Sequence, residues 1–145
     1  SSLGFRFITL VFAVIDSQKN EICISNAGHL PPVRRNAQGE SELIGMRESG
    51  MPLGVLADQQ FEEIVVKMQP NDSFLFYTDG ITEAMNSDNE LYGKARLMQA
   101  VTSSTVLAKD LVKSVVASVD HFCDERQQRD DICVTAVRRF SGMGD

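Results

Sequence analysis

Residues 73–79 read Ser-Phe-Leu-Phe-Tyr-Thr-Asp, a run that is apolar on both of its alternating faces and ends at a carboxylate. A strand with two apolar faces is typical of the centre of a covered sheet. Turn residues at 69–72 precede the run, and residues 61–68 before them alternate between apolar and polar side chains, which is typical of a strand. Residues 73–78 therefore predict a central strand, with Asp79 at its carboxyl end.

Short strands joined by turns account for much of the remaining chain. Residues 5–16 form an apolar run that predicts a strand covered on both sides, and residues 21–25 predict the returning strand of a hairpin. Residues 107–122 carry apolar side chains at helical spacing, and a weaker helical pattern covers residues 93–101. Further strands are predicted at 33–35, 41–44 and 132–137. Hairpin-linked strands followed by late helices predict an α+β fold with helices packed on antiparallel sheet.

Composition and charge restrict the functional class. The chain has 145 residues, of which 43% are hydrophobic, and its 14 basic and 20 acidic side chains give a net charge of −6. This acidic balance argues against nucleic acid or an anionic membrane as a partner, because both favour a basic protein face. No apolar run approaches the roughly 18 to 20 residues that span a bilayer, and no secretory leader opens the chain. We therefore expect a cytoplasmic protein.

Acidic side chains lie at the ends of two predicted strands. Asp79 ends the central strand, and Asp130 and Asp131 come just before the last one. If these strands are antiparallel neighbours, Asp79 and Asp130 meet at one rim of the sheet. Carboxylates so close repel unless a cation lies between them, and oxygen ligands suit Mg²⁺ or Mn²⁺. Each acidic position alone is more typical of a turn or a solvated loop end, so only the pairing favours a metal site.

Two other positions fit either a site or a structural role. Gly80 suits a tight turn, and it equally suits a metal or phosphate that approaches the backbone. His29 lies in a Gly/Pro-containing loop after a strand, where an imidazole either faces a site or, more commonly, hydrogen-bonds its own loop. No nucleophile elbow, Walker loop or dinucleotide fingerprint is present in the sequence.

Six motifs along the chain, taken together and in order, resemble those of one known family. They read TLVFAVID (9–16), ISNAGHLPP (24–32), MPLGV (51–55), FLFYTDGITEAMN (74–86), LYGKARL (91–97) and RDDICVTAV (129–137). These motifs resemble the metal-dependent protein phosphatase family of the protein phosphatase 2C type, in its bacterial SpoIIE/RsbU-type branch. The resemblance implies an α-β-β-α sandwich of two antiparallel sheets flanked by helices. It also implies hydrolysis of phosphoserine or phosphothreonine on proteins, by water activated at a binuclear Mn²⁺ or Mg²⁺ centre.

The resemblance further implies roles for single residues. Asp79 of the YTDG motif and Asp130 of the closing motif are the implied metal ligands, and Asp131 is an additional candidate ligand. Four other residues are implied to organise the site or its substrate side: Asn26, Gly28, His29 and Gly80. The implied partners are a phosphorylated regulatory protein, typically an anti-sigma-factor antagonist, and an upstream sensor or receiver domain, with a homodimer as a further possibility.

The chain departs from the family pattern in one respect. The family has an upstream Gly-Asp motif whose Asp bridges both metals, whereas the Gly-Asp pair in this sequence is Gly144-Asp145, at the opposite end. We therefore expect residues 1–145 to be the C-terminal major part of a single phosphatase domain, and by themselves to bind metal poorly and be nearly inactive. We also expect the strand at 5–16 to have an unpaired edge or a partner chain covering it. The alternative function is a phosphatase-like module that binds its partner without hydrolysis.

Overall fold

The computed structural model describes residues 6–104, 107–123 and 131–141. Within these ranges the regular elements, in chain order, are β1 (Leu10–Asp16), β2 (Glu21–Ala27), β3 (Val33–Arg35), β4 (Ser41–Leu43), β5 (Glu63–Lys67), β6 (Ser73–Tyr77), α1 (Asp79–Thr82), α2 (Gly93–Ser103), α3 (Ala108–Cys123) and β7 (Val134–Arg138). The strands form two sheets, and every pair of neighbouring strands is antiparallel. This arrangement confirms the predicted α+β class with two antiparallel sheets and helices. None of the helices in the described ranges is long and apolar enough to cross a membrane.

The contacts of the chain divide into two compact units, and the first contains the sheet β1-β2-β5. This unit comprises Ser1–Pro31 and Ile44–Met68. The antiparallel pairing of β2 with β1 confirms the predicted returning strand, and Ile22 and Ile24 of β2 are 0% and 1% exposed. They share one face of the sheet with Ile64 and Val66 of β5, which lie opposite them in the register. The apolar interior of this unit therefore lies on one face of its sheet.

Strand β1 lies at the edge of this sheet, and the prediction that it is covered on both sides is wrong. It pairs with β2 alone among the described strands, and Phe12 and Val14 are 61% and 51% exposed. The strand also begins at Leu10, while Ile8 forms an isolated bridge with Leu53. A run that is apolar on both faces has the same pattern in a central strand and in an uncovered edge strand. The expected unpaired edge is confirmed for the described part of the chain.

The second unit contains the sheet β4-β3-β6-β7 together with the helices. It comprises Pro32–Leu43 and Gln69–Asp145. Strand β6 lies between β3 and β7, and Phe74 and Leu75, which point to opposite faces, are both 0% exposed. This confirms the predicted central strand. The helix predicted at 107–122 is confirmed as α3, whose buried residues recur at helical spacing: Leu111, Val115, Val119 and Cys123.

Two arginines of β3, the partly exposed Arg34 and the buried Arg35, connect the elements of the second unit. Arg35 of β3 donates from Nε to the carbonyl of Val101 at 3.0 Å and from Nη2 to that of Ser104 at 2.9 Å. Both acceptors lie at the C-terminal end of α2, and the Val101 carbonyl also accepts hydrogen bonds from the backbone N–H and the hydroxyl of Ser104. Arg34 donates from Nη2 to Oδ2 of the buried Asp72 at 2.7 Å, directly before β6 begins. Both arginines therefore attach β3 to segments that are distant in sequence.

Tyr77 ends β6, and its environment generates the first prediction. The residue is 2% exposed, and its hydroxyl has no hydrogen-bond partner among the described residues. Because Tyr77→Phe removes an unpaired buried polar atom, we expect the free energy of unfolding at pH 7 to stay unchanged or rise by about 1 kcal/mol. Burial also raises the pKa of Tyr77 above its ordinary value of 10.0. As the pH rises past about 10, the Tyr77 hydroxyl therefore ionises in the unfolded chain before it does so in the folded chain, and the free energy of unfolding of the wild type falls. Tyr77→Phe lacks this hydroxyl, so the variant should not show this loss of stability.

Urea unfolding at pH 7 and near pH 10.5 measures both effects. Tyr92→Phe is the matched control, because the hydroxyl of Tyr92 lies 2.7 Å from Oγ of Ser118 and its loss should cost about 1 kcal/mol. A loss of more than about 1 kcal/mol in Tyr77→Phe at pH 7 would contradict the assignment of an unpaired hydroxyl.

Candidate functional site

Strands β6 and β7 are antiparallel neighbours, which is the condition on which the predicted metal site depended. Tyr77 lies opposite Val134 as the last pair of the ladder. The pairing continues by one residue beyond it, because the backbone N–H of Thr78 donates to the carbonyl of Cys133 at 3.0 Å. The end of β6 therefore lies beside the segment that enters β7.

Asp79 is the first residue of the short helix α1 rather than part of a simple turn. The backbone N–H of Ile81 donates to the carbonyl of Thr78 at 3.1 Å, and that of Glu83 donates to the carbonyl of Asp79 at 2.8 Å. The hydroxyl of Thr82 lies 3.3 Å from the same Asp79 carbonyl. The Asp79 side chain is exposed, and its carboxylate accepts no hydrogen bond from the described residues. The helix therefore binds the backbone of Asp79 and leaves its carboxylate available to a ligand.

Gly80 packs directly against the backbone of Asp131. A Cβ atom at position 80 would lie 2.5 Å from the carbonyl oxygen of Asp131 and 3.3 Å from its carbonyl carbon. The φ angle of Gly80 is not in the left-handed region, so the position requires space rather than an unusual backbone conformation. The sequence predicted either a tight turn or the approach of a metal or phosphate at Gly80, whereas the group that lies close to it is the backbone of Asp131, so the segments of Asp79 and Asp131 are brought together.

The structure places Asp131 at the same end of the sheet as Asp79. Asp131 is exposed, and its carboxylate accepts no hydrogen bond from the described residues, whereas Asp130 lies outside them. Two exposed carboxylates without described partners provide hard oxygen donors, the type that Mn²⁺ and Mg²⁺ prefer. The described ranges contain no group of three or more His, Cys, Asp or Glu side chains that could hold a metal ion. The carboxylate oxygens of Asp79 and Asp131 therefore suit these ions. Within the described residues, these two carboxylates are the candidate metal ligands.

The segment from Asn26 to His29, in the first unit, runs from the end of β2 into the loop after it and is closed by its own hydrogen bonds. Oδ1 of the buried Asn26 accepts from the N–H of His29 at 2.8 Å, and Nδ2 donates to the His29 carbonyl at 2.9 Å. Nδ1 of His29 lies 3.1 Å from the carbonyl of Leu30. Since a carbonyl can only accept, Nδ1 carries the proton in this bond. The imidazole therefore bonds its own loop, the commoner of the two predicted alternatives.

Position 28 requires glycine for two reasons, its backbone angle and the lack of space for a side chain. Its φ angle is +70°, and a Cβ atom would lie 2.6 Å from Cγ and 2.7 Å from Cδ of Pro52. The backbone N–H of Gly50 also donates to the carbonyl of Asn26 at 2.9 Å. The loop of Asn26 to His29 therefore packs against the segment that contains the MPLGV motif, within the first unit.

The groove between α2 and α3 contains none of the predicted site residues. It has a volume of about 610 Å³ and is lined by both helices, with the guanidinium of Arg96 4.4 Å from the ring centroid of Phe122. His121 of α3 also lines the groove. The lining includes no carboxylate, so the groove lacks the donor type that suits Mn²⁺ or Mg²⁺.

Thr78 was missed by the sequence analysis. Its Oγ1 accepts a hydrogen bond from the backbone N–H of Cys133 at 3.1 Å. The sequence signal was a hydroxyl residue directly before the candidate ligand Asp79. That signal could not show which segment the hydroxyl contacts.

Comparison with known proteins identifies the family. The family model described as Stage II sporulation protein E (SpoIIE) matches residues 1–140. The chain belongs to the SpoIIE family. This membership confirms the resemblance that the six motifs indicated. The fold of this SpoIIE-family chain is also that of solved phosphatase domains, as the structural similarity below shows.

Two relatives and two solved structures illustrate the similarity of this SpoIIE-family chain. It is 29% identical over 133 residues to Protein IcfG of Synechocystis sp., covering 92% of the chain and 21% of that protein. It is 23% identical over 134 residues to phosphoserine phosphatase RsbU of Bacillus subtilis, covering 92% of the chain and 39% of that protein. The chain thus spans about a fifth to two fifths of the length of these relatives.

Both solved structures are of SpoIIE from Bacillus subtilis. The PP2C phosphatase domain with a fragment of the regulatory domain gives a TM-score of 0.74 at 18% identity, covering 90% of the chain and 37% of that structure. The phosphatase domain presoaked with Mn gives 0.70 at 19% identity, covering 94% of the chain and 58% of that structure. At these identities the similarity establishes a shared fold.

The contact at Gly80 generates the second prediction. In Gly80→Ala the new Cβ would meet the carbonyl oxygen of Asp131, so one of the two backbone segments must move. We expect the free energy of unfolding to fall by about 1 to 3 kcal/mol, measured by urea unfolding. Helix propensity alone predicts the opposite, because Ala is favoured over Gly in a helix by about 1 kcal/mol. A gain in stability would therefore contradict the close contact.

Proposed function

We propose that this chain supplies the metal-binding part of a cytoplasmic protein serine/threonine phosphatase that hydrolyses phosphoserine or phosphothreonine on a regulatory protein. The observation that carries the proposal is the juxtaposition of the Asp79 and Asp131 segments through the Gly80 contact. Membership of the SpoIIE family supports the activity, and the name of the relative RsbU, a phosphoserine phosphatase, supports the type of substrate. An anti-sigma-factor antagonist is the specific substrate that we propose.

Asp79, Asp130 and Asp131 are the proposed ligands of two Mn²⁺ or Mg²⁺ ions. Their support is the donor type, since carboxylate oxygens suit these ions. The presoaking of the SpoIIE phosphatase domain with Mn supports the same class of metal. When bound, such ions polarise the phosphoryl oxygens and lower the pKa of bound water. In this proposal, Asp79 presents its carboxylate from a backbone that α1 holds in place. Gly80, which has no side chain, leaves room for the Asp131 backbone.

The loop of Asn26, Gly28 and His29 is proposed to organise the substrate side of the site. The support is that its polar groups bond within the loop and that Pro52 fills the space beside Gly28. A loop closed in this way holds its shape without a ligand, which is the property that a binding element requires. None of its side chains is proposed as a metal ligand.

Two partners belong to the same proposal. An upstream sensor or receiver domain is proposed to control the activity, and the greater length of IcfG and RsbU supports further domains in the complete protein. A homodimer is proposed to form through β1. The exposed Phe12 and Val14 and the unpaired edge of that strand, among the described residues, support such a contact.

Replacement of Asp79 provides the third prediction. In the complete natural protein with Mn²⁺, Asp79→Asn should lower kcat/KM for phosphoserine-peptide hydrolysis by at least about 100-fold, because a neutral amide binds the cation weakly. The melting temperature without metal should stay unchanged, since the side chain is exposed and unbonded among the described residues. Phosphate release measures the activity.

Asp88→Asn is the matched control, because Asp88 is an exposed acidic residue in a turn outside the site. The activity of this variant should equal that of the wild type. Undiminished turnover in Asp79→Asn would remove Asp79 from the site. A complete protein that binds a phosphoprotein and never hydrolyses it with either metal would instead support the non-catalytic module.

A further inference from the structure

Thr78 occupies the N-cap position of α1 without capping the helix. Its φ and ψ angles of −95° and 166° are the extended angles usual for an N-cap, yet its side chain forms no capping hydrogen bond. A threonine at this position ordinarily accepts a hydrogen bond from the backbone N–H two or three residues further on. The side chain therefore gives up a common local interaction, and its hydroxyl points to another partner.

That partner is the backbone of Cys133. Oγ1 of Thr78 accepts from the N–H of Cys133 at 3.1 Å and lies 3.4 Å from its carbonyl oxygen. The backbone N–H of Thr78 donates to the same carbonyl at 3.0 Å. Thr78 thus contacts both polar backbone groups of Cys133, one residue beyond the last ladder pair of Tyr77 and Val134.

The position of this contact relates it to the candidate ligands. Thr78 directly precedes Asp79, and Cys133 lies two residues after Asp131. On the other side of Asp79, Gly80 packs against the Asp131 carbonyl. The Asp79 segment is therefore held against the Asp131 segment from both sides.

A pair of carboxylates cannot hold itself together, because like charges repel when no cation is bound. Other groups must therefore fix the distance between the two carboxylates before the metal binds. Metal sites in proteins depend on such supporting contacts. The hydroxyl of Thr78 is a neutral group that bonds a neutral backbone. It therefore supplies a constraint without adding charge to the site.

We propose that Thr78 is a positioning residue that holds Asp79 and Asp131 at the separation needed to bind a divalent cation. This inference rests on the proposed function. Thr78 acts through the backbone of Cys133, and the hydroxyl, rather than the bulk of the side chain, is the group that matters. Without this hydroxyl, the separation of the two carboxylates varies over a wider range before the cation binds. Removal of the hydroxyl therefore weakens metal binding more than it slows turnover at saturating metal.

The fourth prediction compares Thr78→Val, which keeps the branched shape but loses the hydroxyl, with Thr78→Ser, which keeps the hydroxyl. Mn²⁺ affinity of the complete protein is measured by isothermal titration calorimetry, and Mn²⁺-dependent hydrolysis is measured alongside it. We expect Thr78→Val to weaken Mn²⁺ binding by about 10- to 100-fold and to leave kcat at saturating Mn²⁺ within about twofold. Thr78→Ser should bind Mn²⁺ within about threefold of the wild type.

Thr82→Val is the matched control, because the Thr82 hydroxyl also bonds near Asp79 but only within α1. It should leave Mn²⁺ affinity within about threefold of the wild type. Equal weakening by Thr78→Val and Thr78→Ser, or unchanged affinity in Thr78→Val, would overturn the inference. If Asp79→Asn weakens Mn²⁺ binding while Thr78→Val does not, the inference alone fails. If Asp79→Asn does not change Mn²⁺ affinity, the proposed function fails, and the inference fails with it.

Discussion

The antiparallel pairing of β6 with β7 is the interaction on which the candidate site depends. Phe74 and Leu75 of β6 are fully buried on opposite faces, and burial of each side chain contributes about 1.5 to 3 kcal/mol. A shift of the register by one residue would exchange the faces of every side chain, so the core fixes the register. The same register places Gly80 against Asp131. The position of two exposed carboxylates is thus determined by apolar packing inside the second unit.

Neutral groups hold the charged ones in this arrangement. Backbone bonds and the Thr78 hydroxyl connect the segments of Asp79 and Asp131, while both carboxylates remain exposed. In the first unit, the side-chain amide of Asn26 similarly closes its loop through both backbone groups of His29. Amide and hydroxyl groups suit this role, because they satisfy backbone groups without the desolvation cost of a buried charge.

The sequence was most informative where a pattern is repeated. The spacing of Leu111, Val115 and Val119 predicted α3, and the two apolar faces of residues 73–78 predicted the central strand. The same reasoning was wrong for β1, because an apolar edge strand has the pattern of a covered one. Helix α1 spans four residues, too few to show a helical period.

The candidate site, like the fold, could be predicted from the sequence only in part. Asp79 and Asp130 could be proposed from their places at strand ends, because antiparallel pairing relates those ends by simple geometry. Asp131 was an additional candidate ligand that the family resemblance implied. The contacts of Gly80 and Thr78 could not be predicted, since each depends on which backbone lies across from it in the folded chain. Asp130 stays a prediction, as it lies outside the described residues. The sequence therefore indicated candidate side chains for the chemistry, and the structure was needed to find the contacts between their segments.

The central claim is that the Asp79 and Asp131 segments form one divalent-cation site, and paramagnetic broadening of amide signals by Mn²⁺ tests it most directly. In a titration of the isotope-labelled complete protein, we expect signals from residues 78–81 and 130–133 to broaden together at the lowest Mn²⁺ concentrations, with no broadening when Mg²⁺ replaces Mn²⁺. Broadening of only one of these segments, or broadening that begins elsewhere in the chain, would contradict the account.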